Sequence, residues 1–233
     1  IRTRLVGSEM CIRDRSRNVN KKKTYKKTEL LRNDLLNTAE KLFALRGFEK
    51  TTIRDITDHL GVRLAAVNYH FDSKHNLLVN MIHRRAGTLN EARQRRLDLV
   101  TINPDKPYET IYALIQAMFE PLLEYYLSGD KGWHYYCLYL ARMIGADPLE
   151  FQPIINREYN DVAQTFIEKL AQSLPDHSEY QLQCAYQFLI GTFTFVMSNN
   201  RRLDGISDGR FKSADVELIL SPHFFKFATA GIL

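Results

Sequence analysis

Apolar residues recur at intervals of three and four positions along most of this chain, a spacing typical of one face of an α-helix. The first apolar stripe consists of Leu31, Leu35, Ala39, Leu42 and Phe43. Gly47 follows it, at the point where a left-handed glycine closes many helices. The pattern therefore predicts a helix from Thr28 to about Arg46.

Two shorter helical patterns follow. Thr52 and Asp55 have the spacing of a capping box, so a short helix is expected from this cap through Leu60. Gly61 marks a tight turn, because glycine tolerates backbone angles that a side chain resists. A second short helix is expected over residues 63–71.

A longer helix is predicted next, with Ser73 as its N-cap and its end near Leu99. Its apolar stripe begins with Leu77, Leu78, Met81 and Ile82. Its exterior is expected to carry Arg84, Arg85, Arg93, Arg95 and Arg96. The segment TINPDKP, residues 101–107, contains two prolines, and we interpret it as a domain junction.

Further helical patterns follow this junction. They cover about 108–127, 131–145, 148–173, 178–203 and 212–231. Pro121 falls inside the first of them, where a kink is expected. No stretch alternates with a period of two, so the predicted fold class is all-α.

The charge distribution divides the chain into two parts. Residues 1–100 carry 22 Lys+Arg and 11 Asp+Glu, a net charge of +11, whereas residues 101–233 carry 10 and 16, a net charge of −6. Lys and Arg neutralise phosphates and supply most non-specific affinity for nucleic acid. The first part is therefore expected to bind a polyanion. A solvated basic face without any partner would have the same composition, so charge alone leaves both interpretations open.

Other classes of protein have little support in the sequence. Cys11, Cys137 and Cys184 are widely spaced and have no histidine at a metal-ligand interval, so we predict no metal site and a cytoplasmic protein. No apolar run approaches the roughly 20 residues that span a membrane. The motifs of nucleotide-binding enzymes, α/β-hydrolases and zinc proteases are absent, so neither an enzyme nor a cofactor is predicted.

The start of the chain is expected to lie outside the fold. Residues 1–16 lack periodicity, begin with Ile and resemble translated adapter sequence, so we interpret them as a non-native leader or assembly scar. Residues 17–27, RNVNKKKTYKK, form a predicted basic flexible arm. Such an arm is either a solvated tail or a reader of the minor groove.

Two short helices joined by a glycine-containing turn are the pattern of a helix-turn-helix, whose second helix enters the DNA major groove. The residues expected to lock the two helices together are Ile56, Leu60, Val62 and Val67. The outward positions of the second helix are small or polar. Ala65 and Ala66 allow a close approach to DNA, and Arg63, Asn68, Tyr69 and His70 can contact bases and phosphates.

More residues stand at fixed intervals across residues 28–85: Phe43, Gly47, Phe48, Thr51, Thr52, Ile56, Gly61, Val62, Val67, Tyr69, His70, Phe71, Ser73, Lys74, Leu77 and Leu78. This set resembles the DNA-binding domain of the TetR family of bacterial repressors. Asn68 stands where many members have Tyr, and Arg63-Leu64 stands where many have Ser-Lys or Ser-Pro. These departures leave the base contacts open.

The resemblance implies a DNA-binding domain at 28–88, with the helix-turn-helix at about 53–72, and a helical effector-binding and dimerisation domain at 89–233. It implies a homodimer on a near-palindromic double-stranded DNA operator. The residues expected to contact DNA are Thr52, Arg54, Arg63, Leu64, Ala65, Ala66, Asn68, Tyr69, His70, Ser73 and Lys74. The helix N-termini at Thr52 and at Ser73-Lys74 would hold phosphates.

Simpler interpretations exist for individual residues of this set. His70 could be a general base, but no Ser, Cys or carboxylate stands at a spacing that would orient it. The resemblance instead implies that Tyr69 and His70 contact backbone phosphates. Tyr69 and Phe71 could also be core residues.

Two late helices carry dense apolar surface. The residues expected at a dimer interface are Tyr186, Leu189, Phe193, Val196, Met197, Phe224 and Phe225. In the TetR resemblance such helices pair with their copies as a four-helix bundle. The same stripes are equally consistent with an internal core.

The helix at 131–145 combines aromatic residues, a thioether and a cation. The expected effector pocket consists of Trp133, Tyr136, Tyr139, Arg142 and Met143, which would suit an amphipathic ligand with an acidic head. The segments ARMIGADP and LIGTFTFVMSNNRRLDGIS are similar to the PsrA-type, fatty-acid-responsive branch of the family, which implies a fatty acid or acyl derivative as effector. An aromatic stripe at helical spacing is more often core than pocket.

The predicted protein is thus an all-α, dimeric, ligand-responsive DNA-binding repressor. A small effector in the second domain would release the DNA, with the long helix from Ser73 to Leu99 as the lever. The alternative is a helical adaptor that uses residues 61–74 for protein contacts.

Overall fold

The structure is a computed structural model that describes the backbone of residues 8–145 and 148–233. Side chains are described within residues 26–143 and 151–233, apart from residue 222. The helices are α1 (Ser8–Arg46), α2 (Ile53–Leu60), α3 (Ala65–Phe71), α4 (Lys74–Leu99), α5 (Pro107–Leu127), α6 (Lys131–Gly145), α7 (Pro148–Ser173), α8 (Glu179–Met197), α9 (Arg202–Ile206), α10 (Val216–Ile219) and α11 (Phe225–Ile232). The described ranges contain no strand, which confirms the all-α prediction.

Helix α1 is longer than the sequence pattern predicts. Its backbone is helical from Ser8 rather than from Thr28, so the expectation of a flexible arm over residues 17–27 is wrong. No glycine or proline interrupts the sequence from Ser8 to Arg46, so nothing in the backbone chemistry breaks the helix. Residues 1–7 of the expected leader lie outside the described residues.

The last two predicted helices are both interrupted. Helix α8 ends at Met197 rather than near 203, because Asn199 and Arg201 adopt left-handed backbone angles, with φ of 46° and 58°. The predicted helix at 212–231 is broken at Ser221, whose φ of −111° and ψ of 113° are extended. Ser221 precedes a proline in the sequence, and the proline ring disfavours helical angles at the preceding residue.

Helices α1 to α4 pack around the predicted stripes. Leu35, Ala39 and Phe43 of α1 are fully buried, and Leu77 and Leu78 of α4 are buried against the same core. Gly47 closes α1 with a φ of 86°, and its amide donates to the Phe43 carbonyl at 2.9 Å. The long α4 then continues into the second part of the molecule, where it packs on α5 and α7.

The core of the second part is an aromatic cluster centred on Phe119 of α5. The Phe119 ring lies 5.1 Å from Phe193 of α8, 5.4 Å from Phe224 and 6.3 Å from Phe166 of α7, measured between ring centroids. Edge-to-face aromatic pairs at these distances stabilise a core beyond the area that they bury. Helices α5, α7, α8 and the C-terminal segment are therefore held together inside one chain.

The two parts are joined by direct contacts between α1, α4 and α6. Glu40 of α1 is completely buried and binds Arg85 of α4 at 2.8 Å and Arg84 at 3.5 Å. Arg85 also reaches Asp130 at 3.1 Å, immediately before α6, and lies over the Trp133 ring. The end of α1 is thus fixed to the helix that leads into the second part.

Candidate nucleic-acid interface

The predicted helix-turn-helix is built by α2 and α3. Thr52 caps α2 in the predicted box: its hydroxyl accepts from the Asp55 amide at 3.1 Å, and its own amide donates to Asp55 Oδ2 at 2.7 Å. Gly61 ends α2 with φ 65° and ψ 31°, a left-handed conformation that suits glycine. The turn therefore forms for the reasons that the sequence indicated.

The second helix of the motif is anchored by its apolar side. Val67 is fully buried and Phe71 is 3% exposed, and both pack with Ile56 of α2. Leu60 and Val62 are half-buried and close the gap between the helices. Phe71 is thus a core residue, as its simpler interpretation held.

The opposite side of α3 faces solvent. Arg63, Leu64, Ala65 and Asn68 are exposed, and Tyr69 is 78% exposed, so Tyr69 is not a core residue. Helix α3 begins at Ala65 rather than near Arg63, which leaves Arg63 and Leu64 in the turn before it. Ala66 and His70 are half-buried at the border of this face. The predicted DNA-contacting residues of the turn and of α3 therefore lie on or beside one accessible face.

His70 lies near the opposite charges of Arg32 and Glu29. Partial burial lowers the pKa of His70 below its ordinary value, the nearby Arg32 guanidinium lowers that pKa further, and the Glu29 carboxylate acts to raise it. Its ring lies edge-on to Tyr69 at 5.0 Å between centroids. In the described part of the chain, no serine, cysteine or carboxylate hydrogen-bonds the ring, so nothing activates it as a general base.

The two helix N-termini expected to hold phosphates differ in charge. At α2 the Asp55 carboxylate already occupies the N-terminus, and hydrogen bonds from Thr52 lower the pKa of Asp55. At α4 the Ser73 hydroxyl accepts from the Asn76 amide at 3.0 Å, and the first turn contains no acidic residue. A helix N-terminus attracts anions, so the end of α4 is the more receptive of the two.

Lys74 at the start of α4 has an internal contact. Its ammonium donates to the Phe48 carbonyl at 3.0 Å and lies 4.1 Å from the centre of the Phe48 ring. An ammonium has three donors, so two remain for a phosphate. Lys74 therefore both fixes α4 against the loop after α1 and presents charge beside the motif.

Helices α1 and α2 and the adjoining turns also carry exposed cations. They are Lys26, Lys27, Arg46, Lys50, Arg54 and Arg63. The described residues contain no group of three or more His, Cys, Asp or Glu able to hold a metal ion. The arrangement can bind a polyanion through many cations while one helix face reaches into a groove.

Two family models match the chain. The model described as bacterial regulatory proteins, tetR family, matches residues 35–81, and the model described as tetracyclin repressor-like, C-terminal domain, matches residues 116–231. Together they cover most of the sequence, including the helix-turn-helix. The chain belongs to the TetR family. It is accordingly a DNA-binding transcriptional regulator.

Similar proteins agree with this membership. The chain is 24% identical over 164 residues, 69% of this chain and 75% of the relative, to the HTH-type transcriptional repressor KstR2 of Rhodococcus jostii strain RHA1. It is 25% identical over 142 residues, 61% of this chain and 68% of the relative, to IcaR of Staphylococcus aureus, a negative transcriptional regulator of a biofilm operon. These relatives are regulators rather than enzymes.

A solved structure shares the fold of this TetR-family chain. The ketosteroid transcriptional regulator KstR2 of Mycobacterium tuberculosis has a TM-score of 0.56 at 21% identity, and the match covers 86% of this chain and 93% of that one.

In the described residues, no helix combines the length and the apolar character needed to cross a membrane.

The structure gives most of the expected effector residues other roles. Trp133, Tyr136 and Tyr139 are buried, and Trp133 stacks on Tyr125. Arg142 is exposed and donates to the Ala44 carbonyl of α1 at 2.5 Å, so it joins two helices. These side chains serve as core and as a bridge because this face of α6 packs on α1 and α5.

A cavity does lie nearby, between α4, α5, α6, α7 and α8, and its volume is about 350 Å³. Met143 is the one expected effector residue that lines it. Arg93 lines it too and is only 4% exposed, so the prediction that Arg93 decorates the exterior is wrong. A signal was present: Leu89, Arg93 and Leu97 are four residues apart, which puts the arginine on the apolar stripe of α4.

The expected dimer residues are mostly internal. Five of them are at most 4% exposed in this chain: Leu189, Phe193, Met197, Phe224 and Phe225. Tyr186 and Val196 are half-buried. All five pack in the core of this chain, although Leu189 and Phe224 also line the groove described next, so a role for them at a dimer interface stays a prediction.

The same late helices expose different aromatic residues. Phe188 and Phe195 of α8 are 72% and 58% exposed, and Phe227 of α11 is 71% exposed. The apolar stripe of α8 is wide enough to leave a second face uncovered, which the periodicity alone did not separate from the core face. A groove of about 700 Å³ lies between Phe188 and Phe227.

Proposed function

We propose that this TetR-family chain is a cytoplasmic homodimeric repressor that binds a near-palindromic DNA operator and releases it when a small effector binds. The observation that carries the proposal is the amphipathic character of α3, which has one buried side and one exposed side. Its buried side, Val67 and Phe71, is fixed to the core, and its opposite side exposes Arg63, Asn68 and Tyr69. A rigid helix with an accessible polar face beside a field of cations fits the major groove.

The contacts divide into two kinds. The positions Arg63 to Asn68 would read base edges, and the small side chains at Ala65 and Ala66 permit close approach. Tyr69, His70 and the N-terminus of α4 would hold phosphates on either side of the groove. Such phosphate contacts set the position of the helix, whereas the base contacts set the operator sequence.

The dimer would form through α8 and α11. Phe188, Phe195 and Phe227 are largely exposed on neighbouring helices, and a contiguous apolar surface of this kind marks an interface. A two-fold interface uses the same patch on both copies. The two α3 helices would then meet successive major grooves about one DNA turn apart.

Release would act through α4. This helix starts beside the DNA-binding surface at Ser73 and reaches the cavity at Arg93, so one rigid element touches both sites. An effector that binds better to a conformer with misplaced α3 helices shifts the population away from the DNA-bound form. A differential binding free energy of a few kcal/mol suffices for this shift.

The test is an operator selected from random duplexes, followed by DNA-binding titrations at increasing salt. We expect affinity to fall steeply, because each neutralised phosphate releases counterions. The double variant Tyr69→Ala, His70→Ala should lose binding while helicity and dimer mass are retained. The matched control Tyr108→Ala, His134→Ala removes the same residue types from exposed sites in the second part of the chain and should bind normally.

Retained binding in the Tyr69, His70 variant would contradict the assignment of the surface. Failure to select any duplex, even at low salt, would instead favour the helical adaptor, in which the 61–74 surface contacts a protein. Binding as a stable monomer would contradict the homodimer and its α8 and α11 interface, but not the DNA-binding surface.

A further inference from the structure

The cavity of about 350 Å³ has a polar mouth and an apolar interior. Gln152 and Asn156 of α7 and Gln187 of α8 line it and are exposed, so they form its opening. Phe119 and Phe193 line its interior and are buried. This division is typical of a pocket for a small organic molecule, in which apolar walls supply contact area and a few polar groups fix orientation.

One charged residue lies in this interior. The Arg93 side chain is 4% exposed, and its Nε donates to the Met118 carbonyl of α5 at 2.8 Å. Its Nη1 makes a long contact of 3.4 Å with Asn90 Oδ1. In the described part of the chain, no hydrogen bond is made by Nη2, so one edge of the guanidinium remains available.

No protein anion balances this charge among the described residues. The ionisable neighbours that favour its charged form are Tyr186, Tyr159, Tyr136 and Cys137, and none of them is a carboxylate. Burial raises the pKa of Tyr159 to about 12 and also raises the pKa of Tyr186, so both phenols are neutral near pH 7. Tyr136 and Tyr159 hydrogen-bond each other through their hydroxyl groups.

An unpaired buried charge is costly. Arginine does not escape that cost by losing its proton in the physiological range, in contrast to a buried lysine. A ligand that brings a negative charge removes part of this cost and gains strong charge-assisted hydrogen bonds. The free guanidinium edge suits the planar, two-oxygen geometry of a carboxylate.

We propose that the cavity between α4, α5, α6, α7 and α8 binds a small amphipathic carboxylate, with its anionic head on Arg93 and its apolar body against Phe119 and Phe193. The proposal rests on the proposed function in treating this ligand as the effector. It moves the anion-binding role from Arg142, which contacts α1, to Arg93, which lies on the helix leading to the DNA-binding surface. The cavity volume limits the ligand to a body of moderate size.

The test is direct binding of straight-chain carboxylates from hexanoate to dodecanoate, measured by calorimetry on the full chain without DNA. Decanol serves as the uncharged counterpart of decanoate. We expect saturable binding of at least one carboxylate and weaker binding of its alcohol. Arg93→Met should lower carboxylate affinity about 10- to 100-fold, the range for a hydrogen bond to a charged group.

Two controls separate a ligand contact from a structural role. Arg142→Met removes an exposed arginine from α6 and should leave carboxylate binding unchanged. Arg93→Met should keep or improve decanol binding, because methionine is apolar and an intact cavity still receives the chain. Arg93→Lys keeps the charge and should retain part of the carboxylate affinity.

The inference is overturned if no carboxylate binds the wild-type chain, if Arg93→Met binds decanoate as the wild type does, or if Arg93→Met loses decanol as well. The binding measurement contains no DNA. Its failure alongside intact operator binding therefore overturns the ligand assignment alone, whereas loss of operator binding by the ligand-free wild type overturns the proposed function.

Discussion

The helix-turn-helix surface and the α4 to α8 cavity both use positive charge, but in opposite environments. At the surface, cations such as Arg54 and Arg63 are exposed and hydrated, so each contributes little alone and many are needed. In the cavity a single guanidinium, that of Arg93, is withdrawn from water among aromatic rings. The first arrangement suits a long polyanion, and the second suits one small anion held at one point.

Helix α3 also has a buried side and an exposed side, and the difference between them predicts the largest effect on stability. Phe71→Ala should lower the free energy of unfolding by about 3–5 kcal/mol, because it leaves a cavity in the core. Tyr69→Ala, on the exposed side of the helix, should change it by less than about 0.5 kcal/mol. Denaturant unfolding of the two variants checks this, and equal losses would show that α3 is not anchored as described.

Buried and exposed ion pairs of α4 give the next comparison. Glu40 is fully buried with Arg84 and Arg85, so Glu40→Gln should cost about 2 kcal/mol of stability, below the usual cost for a broken buried pair because both arginines keep some solvent contact. Glu124→Gln removes an exposed partner of Arg96 and should cost less than about 0.5 kcal/mol. Thermal unfolding distinguishes the two, and similar shifts would contradict the assigned burial.

The pH dependence of DNA binding tests His70. Its pKa in the free protein is lowered by burial and by Arg32, and an adjacent phosphate would raise that pKa. Binding then takes up a proton, so affinity should rise as pH falls from 7 through the ordinary histidine range near 6.5, by up to about tenfold for each unit of pKa difference. His70→Gln should flatten the profile, and an unchanged slope would assign the effect to another group.

The smallest effect concerns the acidic N-terminus of α2. Asp55→Asn removes a carboxylate that would repel a phosphate, so operator affinity should rise about two- to fivefold at low salt. The same change weakens the capping box, so the melting temperature should fall slightly. Asp58→Asn, an exposed change on the same helix, is the control, and equal gains would indicate a general charge effect.

The local features of the first part were predictable from the sequence. The Thr52 and Asp55 box, the left-handed Gly61 and the inward Val67 and Phe71 all involve residues within a few positions of one another. The boundary of α1 was not predicted, because a mostly polar stretch without apolar periodicity, glycine or proline carries no signal to choose between a helix and a flexible arm.

The second part was predictable as helical, but its sites were not. Phe193 and Phe188 lie five residues apart on α8, yet Phe193 is in the core and Phe188 is on the surface. Arg93 was predicted on the exterior and is buried, and Arg142 contacts α1 rather than lining the cavity. Periodicity shows that a helix has an apolar face, but the partner of that face depends on helices distant in the sequence.

The sequence by itself therefore determined the all-α class, the helix-turn-helix and the family, because these depend on short-range spacing and backbone chemistry. Tertiary structure alone decided which apolar face is core, which is exposed, and which arginine is buried. Burial is a property of packing between distant segments, and the electrostatic behaviour of a charge follows from its burial. Arg63 on the surface and Arg93 in the cavity therefore differ in hydration because of packing and not because of residue type.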